Sequence, residues 1–230
     1  MFDILFISYG ELNADENFKR LKDRFPLTKR VKDVKGIHQA HIAAAQKSMT
    51  EMFWVVDGDA KIMDHFYFQY DSAYKDLDKE TVYIYKSINP INDLVYGYGG
   101  VKLLPKKLVL NIDLSKADMT TSISDKIVSL PEISNITCFN TDEFSTWRSA
   151  FRECCKLAAG TIKYRNKELD TFRLSRWCSD YGKDRLFGDF SISGANAGRE
   201  YGIRNKDNYT SLKLINDFEW LKNEFSRNTF

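Results

Sequence analysis

The chain has 230 residues, long enough to bury a full core, and with 43% apolar and 29% charged residues no disordered arm or Pro-rich linker stands out. A formal net charge of +2 is too small to announce a nucleic-acid protein by itself, although a local basic groove is compatible with it. No apolar run approaches the roughly 18 residues of a bilayer span, and the opening MFDILFISYG carries an acid at position 3 and no basic flank, so it reads as a strand and not as a signal peptide.

These features predict a soluble, cytoplasmic protein with no membrane partner. The four prolines, Pro26, Pro90, Pro105 and Pro131, are spread along the chain, and no repeat or linker stands out. One domain over 1–230 is therefore expected. Cys138, Cys154, Cys155 and Cys178 lack the CxxC spacing of a zinc site and read as reduced thiols packed in a core.

In chain order, DILFIS (3–8) is a strand-type apolar run. The following stretch has Leu12, Phe18, Leu21 and Phe25 at near-helical spacing, with Asn13 as a cap. LTKRVKDV (27–34) is a short strand, Gly36 punctuates, and the alanine-rich IHQAHIAAAQKSM (37–49) is helical. MFWVV (52–56) is a third strand, closed by Asp57-Gly58-Asp59. Strands alternating with helices predict a mixed, mainly parallel α/β sheet of Rossmann type with flanking helices and a helical C-terminal part. Ligands of such sheets bind beyond the carboxyl ends of the strands.

Two readings of Asp57-Gly58-Asp59 stand side by side. Asp and Gly are favoured turn residues, so DGD serves as a simple turn. Alternatively, two carboxylates at a strand's carboxyl end suit Mg²⁺ or Mn²⁺, ions that prefer oxygen ligands and bridge to diphosphates, with Gly58 letting backbone approach the ligand.

The order strand, helix, short strand with Arg30, Gly36, Ala-rich helix and hydrophobic strand ending in DxD resembles the nucleotide-sugar-binding half of GT-A glycosyltransferases. YGYGGVKLLPKK (96–107) is similar to that family's later Gly-Gly strand. KGIHQAHIAAAQKSMTEMFWVVDGDA, SINPINDLVYGYGGVKLLP, DMTTSIS and FNTDEFSTWRSAFRECCKLA together resemble glycosyltransferase-like proteins of tailed bacteriophages. The resemblance implies a GT-A-like fold and a nucleoside-diphosphate sugar, UDP-linked by expectation, as donor. Asp57 and Asp59 would hold the metal, with Ser8, Tyr9, Gly10, Arg30, His38 and Gly58 around the nucleotide. A carboxylate beyond the Gly-Gly strand would be the catalytic base: Asp118 is the nearest match, with Glu153 and Asp142 as competitors. The family's C-terminal histidine ligand has no counterpart, because no histidine follows His65.

Other clusters carry paired readings. His38 and His41 share one helix face and serve a metal, for which no third nitrogen or sulfur ligand stands out, a diphosphate near the helix start, or ordinary packing. The stretch 144–159 has a core stripe of Phe144, Trp147, Phe151, Cys154 and Ala158, with Arg148 and Arg152 opposite, either as a phosphate clamp or as a solvated face. Asp118 is either the base or the cap of a helix through TTSISDKIV. GDFSISGANAGREYGIRN (188–205) reads as a mobile glycine loop whose Arg199 closes on a diphosphate, and SLKLINDFEWLKNEF (211–225) as one amphipathic helix.

The expected activity is metal-dependent sugar transfer. Hydroxymethylated cytosine in double-stranded phage DNA is a natural acceptor, read by Tyr96 and Tyr98 and held by Lys102, Lys106, Lys107, Arg148 and Arg152. The host cytoplasm would be its location. A nucleotidyltransferase using the same carboxylates and a non-catalytic phage interaction protein are the alternatives.

Overall fold

A computed structural model describes residues 1–73, 76–97, 100–116, 118–161 and 166–229. They form two compact units, one built from residues 1–89 and 95–138, the other from 90–94 and 139–230.

The first unit opens with β1 (Asp3–Ser8), α1 (Ala14–Arg24), β2 (Lys29–Lys32), α2 (Ile37–Lys47) and β3 (Met52–Asp57), the alternation expected from the periodicity. β1 pairs parallel with both β2 and β3, since each return runs through a helix. There follow β4 (Ala60–Ile62), β5 (Val82–Ile88), β6 (Val95–Tyr96), β7 (Val101–Pro105), α3 (Lys106–Leu110), α4 (Met119–Ile123) and β8 (Ile127–Thr137). The strand order is β2-β1-β3-β7-β5-β8-β4, with β6 beside β5.

This α/β sheet is mixed rather than mainly parallel. β7 runs antiparallel to both neighbours, β3 and β5, and β4 runs antiparallel to β8, while β5 and β8 are parallel. No long helix separates β5 from β7, so the chain turns back on itself and pairs antiparallel.

β3 lies inside the sheet between β1 and β7, with Met52, Phe53, Trp54, Val55 and Val56 all at 0% exposure, as a strand covered on both faces requires. On one face Phe6, Trp54, Val56, Tyr83 and Leu103 pack with Ala14 and Leu21 of α1. On the other, Leu5, Phe53, Val55 and Leu104 pack with Ala44 and Ala45 of α2 and with Met119 and Ile123 of α4. Alternation along the strands then assigns their last residues: Ser8 belongs to the α1 face and Asp57 to the α2 face.

The second unit is helical where described: α5 (Glu143–Ala159), α6 (Lys167–Trp177), α7 (Gly188–Arg204), α8 (Tyr209–Lys213), a 3-10 turn (Leu214–Asn216) and α9 (Phe218–Thr229). Asp142 caps α5 by accepting from the Ser145 amide, and Gly160 ends it at φ 74°.

Residues 188–204 form a helix and not a mobile loop. Gly194, Gly198 and Gly202 recur every four residues, and a Cβ at these positions would lie 2.2, 2.2 and 2.5 Å from the carbonyl oxygens of Trp147, Phe151 and Cys155 on α5. The glycines serve close helix packing. The stretch 211–225 is not one helix either: Asp217 accepts from the amides of Glu219 and Trp220 at 3.0 and 3.2 Å, so its side chain starts α9 afresh.

Cys154 and Cys155 are buried, and all four cysteines are free thiols. No helix among the described residues is long and apolar enough to cross a membrane.

Candidate functional site

The three parallel strands end together. Ser8 aligns with Lys32 and Ile7 with Asp57, so the carboxyl ends of β1, β2 and β3 form one edge, and β7 enters beside it with the Asp57 amide donating to the Gly100 carbonyl at 2.9 Å. The predicted site residues of the first unit divide between the two faces of this edge.

On the α1 side, Arg30 donates from Nε to Ser8 Oγ at 3.0 Å and from a terminal nitrogen to Asp15 at 2.6 Å. Its guanidinium lies over the rings of Phe6 and Phe18, and it pulls the Asp15 carboxyl below its usual range, chiefly through that hydrogen bond. Ser8 and Arg30, placed together in the nucleotide half from sequence, do touch. Tyr9 and Gly10 form the following turn, with Gly10 at φ 79°.

Glu11, which sequence reasoning passed over, accepts from the Tyr9 amide at 2.7 Å. Its carboxylate sits over Gly58, where a Cβ would fall 2.6 Å from Oε2. The Gly58 carbonyl accepts from Asn17 of α1 at 3.0 Å, and the Asp59 carbonyl from the Cys138 amide at 2.7 Å. The DGD segment is therefore a braced turn between β3 and β4.

On the α2 side, Lys102 of β7 donates to both carboxylate oxygens of Asp57, at 3.1 and 2.9 Å. The Lys102 side chain is 6% exposed and that of Asp57 35%, so the ammonium backs a carboxylate that still meets solvent. His41 is buried beside them. Its Nδ1 must carry the proton, because it bonds the Ile37 carbonyl at 2.7 Å, and its Nε2 is a buried atom with no hydrogen-bond partner among the described residues. Burial, and next the charge of Lys102, push the His41 pKa down from 6.5 to about 4, so the ring is neutral.

One turn earlier, His38 Nε2 lies 3.2 Å from Ser122 Oγ, which donates to the Asp118 carbonyl at 2.6 Å. Asp118 itself caps α4 by accepting from the Thr121 amide at 3.0 Å. That helix stops at Ile123, short of the stretch expected through TTSISDKIV.

Other predicted residues lie elsewhere. Lys102 is buried and is thereby removed from any contact with a DNA backbone. Lys106 donates to the Ser48 carbonyl at 2.6 Å. Tyr96 is 5% exposed, which withdraws its ring from stacking on a base, and Tyr98 lies outside the described residues.

Glu153 and Arg199 belong to the second unit. Glu153, on α5, is 5% exposed and paired with Lys156 at 3.2 Å. Arg199 lies on helix α7 rather than on a closing loop, near enough to Cys154 and Cys178 to act on both thiols. Arg148 stacks on the Phe144 and Phe218 rings at 5.4 and 4.2 Å, and Arg152 donates to Asn216 at 2.9 Å.

The resemblance to GT-A enzymes implies a divalent ion on Asp57 and Asp59. The surroundings of Asp57 do not fit one: both oxygens already accept from a buried ammonium, and a divalent cation placed on them would meet that charge at close range. VKLLP, a buried strand pattern with one charged residue, signals that Lys102 needs a countercharge but does not name the residue that supplies it.

No protein-family model matches the chain, and no curated protein matches it.

Proposed function

We propose that the chain is a glycosyltransferase of the GT-A kind, moving a sugar from a nucleoside-diphosphate donor, UDP-linked by preference, to an acceptor hydroxyl. The observation that carries the reading is the common carboxyl edge of β1, β2 and β3, which carries Ser8 and Arg30 on its α1 face and Asp57 and the start of α2 on the other. α2 begins on Gly36 with no side-chain cap and no acid in its first turn, which leaves its first amides suited to a phosphate.

In the transfer, the acceptor oxygen bonds to the anomeric carbon. The bond from that carbon to the diphosphate oxygen breaks, its electron pair leaves with the nucleoside diphosphate, and the hydroxyl proton passes to a carboxylate. Asp118 is the carboxylate this reading assigns; its backbone carbonyl, not its carboxylate, is tied to His38 through Ser122. Glu153 is less suited, being buried and already paired. Hydroxymethylcytosine in DNA is the proposed acceptor.

Isothermal titration with UDP tests the donor half, with a micromolar-range affinity expected that Arg30→Ala weakens. Mass spectrometry of hydroxymethylated against plain DNA after incubation with UDP-sugars tests the acceptor half. Absence of any nucleotide binding would remove the reading.

A further inference from the structure

β7 has the composition of a buried strand: Val101, Leu103, Leu104 and Pro105 surround Lys102, which is only 5% exposed itself. An ammonium with so little water persists only beside a countercharge. Asp57 provides it across the antiparallel pairing, where Lys102 faces Val55 two residues before the carboxylate, and the side chain reaches forward to both oxygens. The face behind the pair is closed by His41 of α2, 2% exposed. Its proton is committed to the Ile37 carbonyl and its Nε2 lacks a partner, so it adds no positive charge and no competing donor.

Asp57 is thus paired with a positive charge from within the sheet. We infer that the Lys102 ammonium is the resident cation of this strand edge, and that a nucleoside diphosphate binds there without a divalent ion. The nucleotide part of this inference rests on the glycosyltransferase reading; the statement about Lys102 and Asp57 does not.

Mn²⁺ and Lys102 are competing partners of one carboxylate, so each weakens the other. Electron paramagnetic resonance of free Mn²⁺, titrated against the full chain without nucleotide, should show no Asp57-dependent ion held more tightly than about 1 mM. Lys102→Met should acquire Mn²⁺ binding at least about tenfold tighter than the wild type, and adding Asp57→Asn to that variant should remove it. A wild-type Mn²⁺ site that Asp57→Asn abolishes would overturn the inference.

Titration of the wild-type protein with UDP, in EDTA and in Mn²⁺, needs no variant. Affinities within about twofold of each other are expected, and a metal requirement of about tenfold or more overturns the inference. If UDP binds under neither condition, the glycosyltransferase reading fails, while the Mn²⁺ titration still decides between Lys102 and a metal at Asp57.

Discussion

At Gly58 the space that a side chain would fill holds the carboxylate of Glu11, whereas at Gly194, Gly198 and Gly202 it holds the backbone of α5. The first glycine stands alone between aspartates at a strand end, and what approaches it is polar and partly solvated. The others recur every four residues along one helical stripe, and what approaches them is the carbonyls of Trp147, Phe151 and Cys155, spaced by four in their turn. Glycine number alone does not separate these cases; spacing does. A polar edge also depends on charge balance and a glycine seam on shape, so the two regions should fail in different ways.

The largest difference is expected inside DGD itself. Asp57→Ala leaves Lys102 buried without a countercharge, which should cost about 4 kcal/mol of unfolding free energy. Asp59→Ala removes a half-exposed turn carboxylate and should cost about 0.5 kcal/mol. Urea denaturation of both variants measures the gap; equal losses would show that the Lys102 pair does not hold the edge.

The seam is broken by volume. Gly198→Ala places a methyl 2.2 Å from the Phe151 carbonyl, which is backbone and cannot swing away, so the loss should be about 3 kcal/mol. Gly202→Ala, at 2.5 Å from the Cys155 carbonyl, should lose less. This ordering should be insensitive to salt and pH, unlike anything at the Asp57 edge.

pH sharpens the same contrast. His41 titrates at about 4 in the fold against 6.5 in the unfolded chain, so between those values the unfolded state binds more protons and stability falls as pH drops. The stabilisation is complete above 6.5, and about 2 kcal/mol of it should be gone at pH 5. Lys102 and His38 oppose protonation of the ring and Asp57 favours it, with burial dominant. His41→Gln should flatten this part of the profile, measured as urea midpoints at pH 7 and pH 5. An unchanged slope would place the acid sensitivity elsewhere.

Much of the first unit was legible because strand and helix periods are local. The runs 3–8, 27–34, 37–49 and 52–56 each contain the strand or helix read from them, and alternation put Asp57 at the carboxyl edge of the sheet, while Ser8 and Arg30 were named only through the resemblance to GT-A enzymes. The partners of these residues were not legible, because they come from distant chain. Lys102 reaches Asp57 only once β7 turns antiparallel beside β3, and Ser122 reaches His38 only once α4 lies against α2. In the second unit the error ran the other way: Gly194, Gly198 and Gly202 were read by glycine density as a loop, although their period of four is that of a helix face. Of the two readings of DGD, the turn is visible in the fold, whereas the ion site meets the Lys102 ammonium already seated on Asp57.

Asp118 carries the smallest expected stability effect and the finest separation of two roles. Its side chain caps α4 at the Thr121 amide, 3.0 Å away, and loss of such a cap costs about 1 kcal/mol. Asp118→Ala should therefore melt slightly earlier whatever the residue does in transfer, and its turnover alone says little. Asp118→Ser keeps a capping oxygen but offers no carboxylate, so the two roles come apart: stability should return to within about 0.3 kcal/mol of the wild type, while sugar transfer stays down by about 100-fold if the carboxylate takes the acceptor proton. Hydrolysis of the donor by water serves as the internal reference, since a variant that merely disturbs the α2–α4 contact through Ser122 and His38 should depress binding of the nucleotide along with transfer. Recovery of both stability and transfer in Asp118→Ser would leave Asp118 as a helix cap alone and send the search for the base to another carboxylate.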